Sequence, residues 1–192
     1  MQNLKEQAEL NLRDLYLVTK EHKINFCLMD GTLLGAYRDK DFCVNDYDDL
    51  DIGILDEDYD VSAEILVEGL SELGFEKKKE LIHNGKLEGF GLERGGSHFD
   101  VIRVNRHPKR AECYNVGRTE GEHKIMAFVY SSKHFDKFGK IKFKGLWFKT
   151  PYDPDGFLTE RYGNWNHKIE RPAFEWWTQS NNNSIREDYD QI

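Results

Sequence analysis

Long apolar runs are missing from this chain. The most apolar stretch, Ile125–Tyr130, is far short of the roughly 20 residues that cross a bilayer, so no transmembrane segment is expected. Cysteine is scarce as well. Cys27, Cys43 and Cys113 are odd in number, widely spaced and without a Cys-x-x-Cys pair. That pattern excludes a disulfide framework or zinc ribbon and fits a reducing compartment. Positive charge is in deficit, with 27 Lys+Arg against 35 Asp+Glu and a net charge of −8. A nucleic-acid binder normally shows a net basic face, so no nucleic-acid partner is expected, although a local basic pocket stays open. Met1-Gln2-Asn3-Leu4-Lys5-Glu6 has no apolar core after a basic start. No secretory signal is therefore expected, and the chain reads as soluble and cytoplasmic.

What is present suits one folded unit. A chain of 192 residues falls within the usual size of a single domain. Its 39% hydrophobic and 13% aromatic residues are too many for a disordered segment. One domain is expected over residues 1–178. The polar Gln179–Ser184 stretch and the charged end after it read as a loose C-terminal tail, 179–192.

Leu4, Ala8, Leu12, Leu15 and Val18 recur at helical spacing and predict a first amphipathic helix. Ile24–Met29 reads as a strand, ending at Asp30-Gly31-Thr32, a turn and N-cap for a short helix over Leu33–Arg38. A strand at Leu50–Leu55, an acidic cap at Asp56–Asp60 and a helix over Val61–Leu73, closed by Gly74, follow. Leu87–Glu93 and Phe99–Val104 form strands about the hairpin signal Arg94-Gly95-Gly96-Ser97, and Ile141–Phe148 a hairpin about Lys144-Gly145. Asp153-Pro154 starts a helix that Gly163 stops. Residues 105–135 have no readable pattern. The expected class is α+β, one mixed β-sheet flanked by helices.

The informative stretch is Asp46-Tyr47-Asp48-Asp49-Leu50-Asp51-Ile52-Gly53-Ile54. Alternate residues of a strand share a face. Leu50, Ile52 and Ile54 therefore enter a core, while Asp49 and Asp51 stand side by side on the other face. Two carboxylates this close repel unless a positive charge lies between them. Mg²⁺ suits the position, because it takes one or two carboxylates together with substrate phosphate oxygens. Asp100, set among apolar residues in Phe99–Val104, would be costly to bury alone and can complete a three-carboxylate cluster. A calcium loop fails on spacing, with Leu50 or Gly53 at the fifth position. Upstream, Gly31-Thr32 at a strand end and helix start can turn backbone N–H groups toward an anion, with Arg38 in reach of a phosphate or of the carboxylates.

The combination resembles the LicD/fukutin family of phosphotransferases within the nucleotidyltransferase superfamily. The resemblance rests on Gly31-Thr32-Leu33-Leu34-Gly35-Ala36-Tyr37-Arg38 and on the acidic strand through Asp49 and Asp51, with Asn45-Asp46 where the family often has Pro-Trp. It rests also on Asp100-Val101 and on Pro151, Leu158, Tyr162-Gly163 and Trp165. It implies a nucleotidyltransferase-like fold and Mg²⁺-dependent transfer of a phospho-alcohol group, such as phosphocholine or a polyol phosphate. The donor would be CDP-linked and the acceptor a glycan hydroxyl. Asp49, Asp51 and Asp100 would hold the metal, Mg²⁺ or Mn²⁺, and Asp100 could accept the proton of the attacking hydroxyl. Gly31, Thr32, Gly35 and Arg38 would bind the donor.

Other residues are read more plainly. His98 shares a strand face with Asp100 and is taken as structural in preference to a ligand or base. Arg103, Arg106, Lys109 and Arg110 are a solvated cluster, with a second phosphate contact as the alternative. Trp147, Trp165, Trp176 and Trp177 pack or stack, and the cysteines are structural. Two other functions stay open: a metal-dependent nucleotide-sugar glycosyltransferase, and a non-catalytic nucleotide- or glycan-binding domain.

Overall fold

The computed structural model describes residues 4–43, 47, 49–119, 122–167 and 183–188. Helix α1, Leu4–Glu21, buries Ala8, Leu12, Leu15 and Val18, the residues that set its period. A short strand β1, Phe26–Leu28, leads into helix α2, Asp30–Leu34, which continues as a π-helical turn over Gly35–Asp39. Strand β2, Asp49–Leu55, comes next, followed by helix α3, Asp56–Ser71. Five long strands follow: β3 Glu76–His83, β4 Lys86–Arg94, β5 Ser97–Arg106, β6 Arg110–Thr119 and β7 Glu122–Ser131. A 3₁₀ turn leads to β8, Phe138–Phe143, β9, Leu146–Pro151, helix α4, Pro154–Tyr162, and a last strand β10, Asn183–Asp188.

The class is the α+β arrangement expected, but the strands form two sheets where one was expected. Eight strands make the main sheet, with β1, β2, β5, β6, β7 and β10 in order and the β3–β4 hairpin attached through β4 to β5. The hairpin β8–β9 is separate. Its turn takes Lys144 and Gly145 at φ 47° and 82°, the left-handed pair that a two-residue hairpin loop requires. The β4–β5 turn does the same with Gly95 and Gly96 at φ 65° and 78°.

The pairing that matters most for function is parallel. β2 and β5 run in the same direction, with Asp49 opposite His98 and Asp51 opposite Asp100. Parallel strands need a long crossover, and here α3 and the β3–β4 hairpin supply it. The alternation in β2 is as expected, since Leu50, Ile52 and Ile54 are fully buried on the core face.

The structure also differs from the sequence reading in several places. The acidic run Asp56–Asp60 is the first turns of α3 itself, where carboxylates complement the helix dipole. Arg103, read as surface, is 1% exposed and ties that run to the sheet. Its guanidinium bonds Asp56 at 2.7 Å, pairs with Asp60 and lies 4.2 Å above the Tyr59 ring. The three lysines at 77–79 hide a strand, β3, because long charged side chains line its exposed edge. Asn183–Asp188, within the expected tail, pairs antiparallel with β7. The helix after β1 also begins at Asp30, so Thr32 lies inside it and is not its cap.

Candidate active site

Carboxylates from β2 and β5 meet at the N-terminal ends of the parallel pair. One ligating atom from each of Asp49, His98 and Asp100 lies within 4.8 Å of the others. His98 Nε2 stands 3.2 Å from Asp49 Oδ1, close enough for an ion pair but off the line of a hydrogen bond. Asp49 Oδ1 and Asp100 Oδ1 are thus buried with no hydrogen-bond partner among the described residues. Such an arrangement is costly unless a cation completes it. Burial raises the Asp100 carboxyl above the usual carboxylate range. Lys79 opposes that rise, and Asp49 adds to it. The Asp49 carboxylate raises His98 above the ordinary imidazole value, against the effect of burial.

Asp51 is placed differently. Its Oδ2 accepts the backbone N–H of Gly31 at 3.0 Å, and its own N–H donates to Thr32 Oγ1 at 2.7 Å. The Gly-Thr segment therefore holds Asp51 in place. Thr32 is 2% exposed, so its hydroxyl faces the protein and not a ligand. The turn is set by Asp30, which takes φ 36° and accepts Arg161 Nε from α4 at 3.1 Å and the Tyr130 hydroxyl from β7 at 3.3 Å. This buried pair bends the chain so that the next N–H points at Asp51.

The other sequence-predicted binding residues make contacts within the protein. A Cβ at Gly35 would lie 2.6 Å from the Asp41 carbonyl oxygen and 2.7 Å from the Cys43 nitrogen, so that position must be glycine for the loop to close over it. Arg38 spends its guanidinium on Asp39, at 2.8 Å, and on the Trp165 carbonyl, at 3.3 Å. Trp165 in turn packs on Tyr37. The first motif and the C-terminal Tyr-Gly…Trp motif are thereby joined. Trp147 is exposed, while Asn45-Asp46, Asp48, Trp176 and Trp177 lie outside the described residues.

Two further residues stand at the site, one weighed differently in sequence and one missed. His98, two residues before Asp100 and so on its strand face, reads in sequence as structural, with a ligand or base role as the alternative. Lys79 gave no signal, because only the sheet register brings β3 near β5. Its Nζ bonds Asp100 Oδ2 at 2.8 Å.

A divalent cation fits this donor set. Asp49, His98 and Asp100 offer two carboxylates and an imidazole, with a buried carboxylate oxygen left open, on rigid paired strands. Asp51 is the fourth group on this face, held in register beside Asp100.

Residues 23–153 match the family described as LicD/FKTN/FKRP, nucleotidyltransferase domain. The chain belongs to this family. This LicD-family chain is also similar to two uncharacterized proteins of Rickettsia. It is 28% identical over 159 residues to one from Rickettsia typhi, covering 81% of this chain and 45% of that protein. The other, from Rickettsia prowazekii, is 27% identical over 159 residues, covering 81% of this chain and 53% of that protein. The chain thus spans about half the length of the curated relatives it matches. Among solved structures, the antibiotic-resistance factor ANT(2'')-Ia superposes with a TM-score of 0.54 at 12% identity. The match covers 92% of this LicD-family chain and 83% of that one, and it shows a common fold, the nucleotidyltransferase-like one. Among the described residues, no helix is long and apolar enough to cross a membrane.

Proposed function

We propose that this LicD-family domain catalyses metal-dependent transfer of a phospho-alcohol group, such as phosphocholine or a polyol phosphate. The donor is a CDP-linked molecule and the acceptor a glycan hydroxyl. The observation that carries the reading is the convergence of Asp49, His98 and Asp100 within 4.8 Å, with a buried, unpartnered oxygen on Asp100. Asp49, His98 and Asp100 hold Mg²⁺, or Mn²⁺ in its place, with Asp51 beside them. The ion supplies Lewis-acid charge for the phosphates of the donor and for the leaving nucleotide.

The protein's own groups do the rest. Asp100 is also the group placed to accept a proton from an attacking hydroxyl, since burial favours its protonated form more than in water. Gly31 and Thr32 fix Asp51, so that the carboxylate face is preorganised before any ligand arrives. The parallel β2–β5 pair keeps the acids on a rigid base, which suits phosphoryl transfer, where positioning and charge supply most of the rate.

The test is a screen of CDP-, UDP- and GDP-linked donors with glycan acceptors, with and without Mg²⁺, read by mass spectrometry. A product that gains a phosphodiester and releases CMP supports the reading. A product with a bare glycosidic bond marks a nucleotide-sugar glycosyltransferase instead. Nucleotide binding that is indifferent to Mg²⁺, with no turnover, marks a binding domain.

A further inference from the structure

Lys79 stands apart from its neighbours. Lys77 pairs with Glu80 and Lys78 with Glu76, both on their own strand. Lys79 instead reaches past β4 to Asp100 on β5, at 2.8 Å. Two features of the sheet are built for that reach. The first is a bulge in β3. Lys77 lies opposite Leu92 and Lys79 opposite Gly91, so the extra residue, Lys78, is unpaired. Without the bulge, Lys78 would face Gly91. Bulges re-aim side chains in this way beside active sites.

The second feature is Gly91 itself, which lies opposite Asp100 on its other side. A Cβ there would come within 2.8 Å of both Cγ and Cε of Lys79, and 3.3 Å from Asp100 Oδ1. Gly91 is the gap through which the lysine stem crosses the strand. The ammonium group at the end of that stem is not sealed in. The Lys79 side chain is 53% exposed, while that of Asp100 is 12% exposed. A half-exposed cation on a flexible stem therefore caps a nearly buried carboxylate of the metal-ligand group.

We propose that Lys79 is a tethered counter-cation that neutralises Asp100 while the metal is absent and moves to the donor's phosphates once the metal takes that carboxylate. This rests on the metal site described above. It makes Lys79 a residue that competes with the ion in one state and contacts the nucleotide in the next. A lysine with a merely structural role would do neither, since its loss would loosen the site and weaken both ligands.

The experiment is a Mn²⁺ titration followed by electron paramagnetic resonance at neutral pH. It compares the unmodified chain with Lys79→Met, Lys79→Arg and Gly91→Ala, each checked for fold by circular dichroism. Without nucleotide, Lys79→Met and Gly91→Ala bind Mn²⁺ about fivefold more tightly, as expected for removing a half-exposed ion pair. In saturating Mn²⁺, Lys79→Met holds CDP about fivefold less tightly and Lys79→Arg recovers the loss. The unmodified chain gives a test that needs no variant. Acetylation of the Lys79 amine, followed by mass spectrometry, speeds up when Mn²⁺ is added and slows again with CDP. Mn²⁺ affinity unchanged or weakened in a folded Lys79→Met overturns the lysine's role and leaves the proposed function standing. An acetylation rate indifferent to Mn²⁺ does the same. Failure of the unmodified chain to bind Mn²⁺ overturns both.

Discussion

Thr32 and Asp51 are joined by a buried hydrogen bond, the backbone N–H of the aspartate donating to the threonine hydroxyl at 2.7 Å. Residues 19 apart in sequence thereby fix the angle at which α2 meets β2, and with it the acid-bearing face. Thr32→Val keeps the shape but leaves that N–H buried without a partner, which costs about 1–3 kcal/mol. In a chain of this length the unfolding midpoint should fall by several degrees, whereas Thr32→Ser should stay near the original value. Differential scanning fluorimetry of the three proteins checks this.

Asp49→Asn and Asp100→Asn each remove a charge from the group that includes His98. Both variants should fold, because an amide fits where the carboxylate stood and removal of like charge relieves repulsion. Mn²⁺ binding should be lost from both, and donor turnover should drop by roughly a hundredfold or more. Calorimetric titration of the metal, with product analysis on the same preparations, measures the two effects separately. Retained turnover in both would remove the metal-based reading.

The three thiols should differ in reactivity. Cys27 is buried and its pKa is pushed up to about 12 by that burial. Cys113 is raised for the same reason. The thiolate is the reactive form, so neither should react with iodoacetamide while the protein is folded. Cys43 is half-buried and should be alkylated first. Peptide mapping after timed alkylation reads the order.

Asp41 makes the acid side of stability testable. Its partial burial works against the charge, but hydrogen bonds from Lys144 and Lys5, each at 2.5 Å, and from the Phe42 N–H hold the carboxyl below the usual range. A carboxyl depressed in the folded state contributes stability above its unfolded pKa and loses it as pH falls through the folded value. Lys144→Met should therefore cost up to about 1 kcal/mol at neutral pH, in keeping with a partly exposed pair. The difference from the unmodified chain should shrink toward zero below about pH 4, near the unfolded carboxyl value. Urea unfolding at pH 7 and in the acid range gives both numbers.

Much of this fold could be read from the chain because local rules agree with the final packing. The period of α1, the alternation in β2, the turns at Gly95-Gly96 and Lys144-Gly145, and the Asp153-Pro154 helix start are all local. The Asp153 carboxylate does cap α4, accepting the Gly156 N–H at 3.1 Å. What stayed hidden depended on partners distant in sequence. β3 went unread because its exposed edge is lined with lysine. β6 and β7 carry mixed polar residues that make sense only against each other.

The candidate site divides along the same line. Asp49, Asp51 and Asp100 announced themselves as acids in apolar surroundings. Gly31, Thr32, Gly35 and Arg38 were visible too, and within the protein their contacts shape the chain around the acids. A glycine-threonine step looks the same in sequence whether its N–H groups serve a ligand or a neighbouring carboxylate. Only Asp51, 3.0 Å from the Gly31 nitrogen, decides between them.

The parallel pairing of β2 with β5 also has a kinetic consequence. Fifty residues of helix and hairpin lie between Asp49 and Asp100, and a loop that long closes late, after local helices have formed. During refolding, helical dichroism should recover before the capacity to bind Mn²⁺. A partly folded chain would hold each acid on its own strand, too far apart to share an ion.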